Sequence, residues 1–236
     1  MKRNWESVVL KALGGKDFRL TVLANEPINA RYQRLRLNDG GLLAACGVHP
    51  TMWVRLWFDR DGKAHQRAFT LVDPDAVAGE FSLEFALHDG TAARWAQAAS
   101  PGDTVEATVQ GSAFSVPAPL PTRWFGIGDA ASAPALNSLF DTLPEQPATI
   151  WLEYAHEEER EFPLRARAAH EVVWLPRRDG GAHLVSTVCS SLSTEPEAFY
   201  WVAAEAASTR AITKHLRRTL GVDKTQVNAL AYWRTA

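Results

Sequence analysis

The sequence predicts two consecutive domains of different class: an antiparallel β domain, then an α/β domain. Three observations predict this. The first half holds six strand-like segments separated by turns, with a single helical interruption. Residues 115–122, SVPAPLPT, then place three prolines within five positions, which suits a semi-rigid connection and cannot continue a central strand or helix. Beyond them short apolar strands alternate with helical segments, as in a parallel sheet with helices on its faces. The boundary is set after residue 118, giving domains 1–118 and 119–236.

Residues 1–16 read as a short amphipathic segment ending at Gly14-Gly15. FRLTVLANE follows, with Phe18, Leu20, Val22 and Ala24 on one face, as a half-buried strand requires. RYQRLRLND is the second strand and stops at the turn Asn38-Asp-Gly-Gly41. TMWVRLWFDRDG is the third, with its turn at 59–62. QRAFTLVD and GEFSLEFALH are the fourth and fifth, and TVEATVQG, after a Pro-Gly-Asp turn, is the sixth. Only GTAARWAQAAS reads as helix. Six such strands make a small antiparallel barrel or sandwich. In the second half RWFGIG, ATIWLEYA, EVVWLPR and AFYWVAAE read as strands, and VNALAYWR as a strand-like end. DAASAPALNSLFDTLP and ASTRAITKHLRRTLG read as helices, the latter closed by Gly221. Residues 156–168 read as a charged loop with some helix, and AHLVSTVCSSL as a short strand or helix.

Composition excludes several function classes. Hydrophobic residues are 46% and charged residues 22%, an ordinary globular balance, and the net charge of −2 provides no field for nucleic acid. MKRNWESVVLKALGG is not a secretory signal, because Glu6 and Lys11 break the apolar run. No stretch approaches the ~20 apolar residues of a membrane span, so no membrane insertion and a soluble, cytoplasmic protein are expected, acting as a monomer. Two cysteines without CxxC and seven histidines without HExxH offer no metal site and no cysteine-ligated cluster.

Four groups of residues carry possible chemistry. Arg67 and Thr70, with His88-Asp-Gly90-Thr91-Ala92-Ala93 opening a helix, can together hold a pyrophosphate; the alternative is a hairpin with a surface arginine and a small loop. Gly126-Ile-Gly128-Asp129-Ala130-Ala131 fits GxGxxA between strand and helix, or else a tight turn in which Asp129 caps the helix. Glu205 ends a strand where ligands approach an α/β sheet, or else sits favourably at a helix N-terminus. Lys214, Arg217 and Arg218 cluster on one helix, with Arg234 nearby in sequence, as a patch for an anionic substrate or a solvated face. Glu153, ending the second strand of the α/β domain, stands where a carboxylate favours a ribose 2′-OH, while Arg160, Arg165 and Arg167 favour a phosphate.

Arg67-x-Phe69-Thr70, the GTAARWA loop, the Pro-Gly-Asp turn, Gly128-Asp129-Ala130 and Tyr232-Trp233-Arg234 occur in the order seen in siderophore-interacting proteins, and the chain resembles that family from Phe18 to Arg234. The resemblance implies an FAD-binding antiparallel Greek-key β-barrel of ferredoxin reductase type, followed by a Rossmann-like NAD(P)H-binding domain. It assigns Arg67 to the FAD pyrophosphate, Phe69 (in place of tyrosine) to the flavin, and Thr70 to the same motif. His88 matches a strand-ending histidine. Gly90, Thr91, Ala92 and Ala93 match the pyrophosphate loop G-P-A-S, with Thr91 for proline and Ala93 for serine, and Trp95 follows. Gly128 and Asp129 open the second domain. Glu205 matches the W-x-A-G-E glutamate, with Ala204 for glycine.

The activity this implies is FAD-dependent reduction of a ferric siderophore with electrons from NAD(P)H or a ferredoxin, releasing Fe(II) for assimilation. No acid–base catalytic residue and no iron ligand from the chain is required. A general flavin or ferric-chelate reductase and a non-catalytic flavin or siderophore binder are the alternatives.

Overall fold

The computed structural model describes residues 15–60 and 62–235. Their contacts divide the chain into two compact units meeting at Ser115 and Val116. The amphipathic reading of residues 1–16 falls almost wholly outside the described residues.

The first unit is a closed barrel of six antiparallel strands: β1 (Lys16–Asn29), β2 (Tyr32–Asn38), β3 (Trp53–Arg60), β4 (Lys63–Asp75), β5 (Glu80–Ala86) and β6 (Thr104–Val109), in the order β1-β2-β5-β4-β3-β6. Strands β3, β4 and β5 are consecutive hairpins and β6 returns beside β3, which is the Greek-key arrangement. Closure decides between barrel and sandwich: β1 pairs with both β2 and β6, from Lys16 opposite Val109 to Asn29 opposite Tyr32, so no edge is left open. The interior is built by alternation. Phe81, Leu83 and Phe85 of β5 face Leu35 and Leu37 of β2 and Val54 and Leu56 of β3 in one core.

Two helices interrupt the barrel. Leu42–Cys46 forms a short helix, α1, where the sequence suggested only a turn. Asp39 explains it: its carboxylate accepts from Gly41 N at 2.8 Å and Leu43 N at 2.8 Å, and Leu42 and Leu43 are buried. Thr91–Ala98 forms α2, which packs Ala92, Ala96 and Trp95 against the barrel core.

The second unit is a five-stranded parallel sheet in the order β11-β10-β7-β8-β9, from β7 (Arg123–Asp129), β8 (Ala148–Tyr154), β9 (His170–Pro176), β10 (Ala198–Ala203) and β11 (Val227–Ala229). Covered on both faces, β10 is buried at every position and β7 at every position but its first, so these strands read as continuous apolar runs. Helices α3 (Ala133–Thr142), α4 (Ala182–Ser191) and α5 (Ala206–Lys214) provide the connections, and a π-helical turn at His215–Thr219 extends α5. AHLVSTVCSSL is therefore helix. The chain proceeds from β7 outward to β9, then returns to lay β10 on the other side of β7. That reversal of direction between β7 and β10 is the topological switch point of a doubly wound sheet. Among the described residues no helix is long and apolar enough to cross a membrane.

Candidate functional site

In the barrel unit, the predicted residues lie at the start of α2 and on strand β4. His88, Asp89 and Gly90 form a tight turn in which Gly90 N donates to His88 O at 2.8 Å. Strand β5 ends at Ala86, so His88 is an exposed residue of this turn and not the last residue of the strand. A Cβ on Gly90 would lie 2.2 Å from the His88 ring, so the glycine lets the imidazole fold over the turn. Gly90 offers no side-chain cap, and the helical ladder starts only with Arg94 N donating to Gly90 O at 3.0 Å. The N–H groups of Thr91, Ala92 and Ala93 therefore leave the helix end without an intrahelical acceptor, at the positive end of the helix dipole. The small buried side chains of Ala92 and Ala93 do not crowd that approach.

Strand β4 supplies the rest. Arg67 is exposed and donates to Gln66 O at 2.8 Å. Phe69 stacks on Phe85 with ring centroids 4.3 Å apart, and Phe85 lies 6.1 Å from Trp95, so the aromatic position is tied to α2 through the barrel core. Thr70 is buried and its hydroxyl has no hydrogen-bond partner; nor has the buried carbonyl oxygen of the Gln66 side chain. A buried hydroxyl without a partner costs stability and marks a place made for a polar ligand atom. An uncapped helix end, a cation and an orphaned hydroxyl match the acceptor-rich pyrophosphate and ribityl portions of FAD, so the residues fit that group. Gln66 gave no sequence signal beyond its place beside Arg67.

In the α/β unit, Asp129, Glu205 and Trp233 meet at the switch point. Strand β7 ends on Asp129, whose Oδ2 accepts from the Trp233 indole N–H at 2.7 Å and whose Oδ1 accepts from Ala131 N at 3.0 Å. Asp129 does not cap α3 itself; Ser132 takes the N-cap position, with its hydroxyl accepting from Asp129 N at 2.9 Å. Gly128 serves this packing, since a Cβ there would sit 2.3 Å from Ser132 Oγ. Ala130 lies in the same turn. Glu205 is the N-cap of α5, accepting from Ala207 N at 2.5 Å and Ser208 N at 3.3 Å. Trp233 bridges in parallel to Glu205 and accepts from Ala206 N at 2.9 Å through its carbonyl.

A fourth partner, Arg177, was not legible as a site residue. It directly follows β9, forms a hydrogen-bonded ion pair with Glu153 at the end of β8, and lies 5.0 Å over the Trp233 ring. Burial raises the Asp129 carboxyl to about 6, against the opposing pull of the Trp233 N–H. Burial also raises Glu153, with Arg177 opposing. Glu205 ends up lowered, because the backbone N–H groups of Ala207 and Ser208 more than offset desolvation. The basic residues are not brought together as one patch. Arg234 follows Trp233 at the N-terminal end of α5, whereas Lys214 closes that helix, ~13 Å away by helical rise. Arg217 and Arg218 lie in the π turn beyond, and Arg217 donates to Val222 O.

Comparison with known families and proteins settles the kinship. Residues 36–111 match the model of the siderophore-interacting FAD-binding domain, and residues 122–236 that of the siderophore-interacting protein. The chain belongs to the siderophore-interacting protein family. It is 33% identical to the mycobactin import ATP-binding/permease protein IrtA of Mycolicibacterium smegmatis and 31% identical to that of Mycobacterium tuberculosis, with 99% of the chain aligned in each case. It spans 28% of the length of each of these relatives. Among solved structures it is similar to the siderophore-interacting protein SipS of Aeromonas hydrophila, with a TM-score of 0.80 at 24% identity over 94% of this chain and 93% of that one. It is also similar to the ferredoxin reductase of carbazole 1,9a-dioxygenase, with a TM-score of 0.71 at 16% identity over 93% of this chain and 70% of that one. As a member of the siderophore-interacting protein family, the chain has the two-domain fold of ferredoxin reductases.

Proposed function

We propose that the protein is an FAD-dependent ferric-siderophore reductase, drawing electrons from a reduced nicotinamide nucleotide or a reduced ferredoxin. The observation that carries this reading is the uncapped N-terminus of α2, in a segment that matches a family FAD-binding domain and that also holds the orphaned Thr70 hydroxyl on β4. Thr91, Ala92 and Ala93 would hold the FAD pyrophosphate through their backbone N–H groups, with Arg67 adding a fixed charge. Phe69 would pack at the flavin and Thr70 would satisfy its hydroxyl there. Bound FAD supplies the conversion of a two-electron donor into two one-electron reductions of Fe(III).

The ferric ion is substrate, held by its chelator. Among the described residues no cluster of histidine, cysteine, aspartate or glutamate could hold a metal. Fe(II) binds hard oxygen donors less tightly than Fe(III), so reduction itself would release the iron. The exposed Lys214, Arg217 and Arg218 at the far end of α5 are proposed to draw in an anionic complex, with Arg234 a separate cation at the other end. The mycobactin import for which the IrtA relatives are named makes a ferric mycobactin the first substrate to try.

The test is anaerobic. Protein reconstituted with FAD is mixed with NADH, NADPH or reduced ferredoxin, and its visible spectrum is followed before and after addition of a ferric siderophore. Bleaching by one donor and reoxidation with Fe(II) release supports the reading. Failure to bind FAD, or no bleaching by any donor, overturns it. Equal rates with ferric citrate and free flavin point to a general reductase.

A further inference from the structure

In a doubly wound sheet, the crevice beyond the strand ends at the switch point normally receives the dinucleotide, with its pyrophosphate on helix N-termini. Here most donors at both candidate N-termini are already committed, and Pro134 in the first turn of α3 has no N–H to offer. At the β7–α3 turn, Asp129 N donates to Ser132 Oγ, Ala131 N to Asp129 Oδ1 and Ser132 N to Asp129 O at 3.0 Å. At the start of α5, Ala206 N donates to Trp233 O, Ala207 N and Ser208 N to Glu205 Oε2, and Thr209 N to Glu205 O at 2.9 Å.

Charge also opposes a pyrophosphate. Strands β7 and β8 end on Asp129 and Glu153, and Glu205 lies two residues beyond β10, so the crevice is lined by three carboxylates, all buried. The arginine at the crevice, Arg177, is committed to Glu153 and to Gly180 O at 3.2 Å. The end of the chain closes what remains. Leu230 N donates to Val202 O at 2.9 Å and Tyr232 N to Ala204 O at 3.0 Å, which carries the tail along β10 and seats the Trp233 ring between Asp129 and Arg177.

We infer that this crevice does not anchor a dinucleotide: Asp129 and Glu205 take the N–H groups a pyrophosphate would use, and Trp233 fills the space. The inference rests on the proposed reductase reading only in that it defines how a nicotinamide donor engages. Such a donor delivers its electrons without its pyrophosphate held at the switch point, so its reaction is first-order in nucleotide, second-order overall, and not saturable in the micromolar range.

The experiment uses the FAD-loaded full chain. Binding of NAD+ and NADP+ is measured by calorimetry, and the rate of flavin bleaching is measured against NADH and NADPH concentration. Three variants are compared: Asp129→Asn, Trp233→Phe and the double variant. The expected result is no saturation below millimolar nucleotide in the wild type, with affinity gained at least tenfold in the double variant. Micromolar binding that none of the variants alters would overturn the inference, because the donor would then saturate at a site elsewhere on the protein. Micromolar wild-type binding that Asp129→Asn or Trp233→Phe weakens tenfold would overturn it. Trp233→Phe retains an aromatic ring in the crevice, so its near-ultraviolet circular dichroism separates a loss of binding from a loss of fold. FAD retention is read from the same samples, so failure of the flavin reading is distinguishable.

Discussion

Asp129 makes the stability of the α/β unit depend on pH in a direction opposite to that of most carboxylates. Its folded pKa stands at about 6 against an ordinary 3.8, because burial outweighs the Trp233 and Ala131 hydrogen bonds. A carboxyl that holds its proton more tightly when folded contributes stability below pH ~4, and that contribution is lost as pH rises to ~6. At ~1.4 kcal/mol per pKa unit the gap amounts to about 3 kcal/mol, all of it lost at neutral pH. Asp129→Asn removes the titration and keeps one amide oxygen, so either Trp233 or Ala131 loses its acceptor at a pH-independent cost of ~1 kcal/mol. The assay is urea unfolding of both proteins between pH 3.5 and 7.5, reading only the difference between them so that other carboxylates cancel. The variant is expected to gain about 3 kcal/mol on the wild type across that range, with the change centred between pH 4 and 6. A difference that stays flat within ~1 kcal/mol would refute the assignment of a buried, proton-retaining Asp129.

Three further outcomes follow from the same geometry. Thr70→Val removes a buried hydroxyl without a partner, so the FAD-free protein should gain ~1 kcal/mol or more in thermal unfolding while FAD affinity falls, measured by flavin fluorescence; loss of stability without FAD would show the hydroxyl to be satisfied. Arg67→Ala should weaken FAD binding ~10-fold or more, as expected for a charge-assisted contact, whereas Arg94→Ala, which breaks only an exposed pair with Asp89, should change it by less than ~2-fold; equal effects would mean the pyrophosphate lies elsewhere. Glu205→Ala removes the cap of α5 and should cost ~1–2 kcal/mol of chemical stability, with Glu205→Gln recovering most of it because an amide oxygen can still accept from Ala207 and Ser208.

Most of the architecture was legible because it follows from periodicity. Period-two alternation in TVEATVQG or GEFSLEFALH fixes a half-buried strand, and the continuous apolar runs of AFYWVAAE and ATIWLEYA fix strands covered on both faces. Two features were not readable from local periodicity. Helix α1 is five residues long and is specified by Asp39 reaching forward to Leu43 N, a signal that NDGG shares with an ordinary turn. Closure of the barrel depends on β1 pairing with β6, about 85 residues away, which no local pattern encodes. At the site, residue types were enough to mark Asp129, Glu205 and Trp233 but not their relation to one another. The Trp233–Asp129 hydrogen bond spans 104 positions. Arg177 was invisible because an arginine after a strand is common and only its neighbours give it a role.

The two candidate sites differ in a property that can be counted: whether their backbone donors are spent. Both begin where a helix starts with small residues, and both contain motif-like sequence, GTAA in the barrel unit and GIGDAA in the α/β unit. At α2 no side chain caps the helix, and on β4 of the same unit a buried hydroxyl is left over. At the switch point Ser132, Asp129, Glu205 and the tail carbonyl of Trp233 consume the donors in turn. Backbone donors left unspent at a helix start stay available to water or to a ligand, whereas donors consumed by the chain's own acceptors do not. By that criterion the start of α2 fits the anionic cofactor proposed for it, whereas the GIGDAA turn, despite its closer fit to a nucleotide motif, spends its donors on the chain itself.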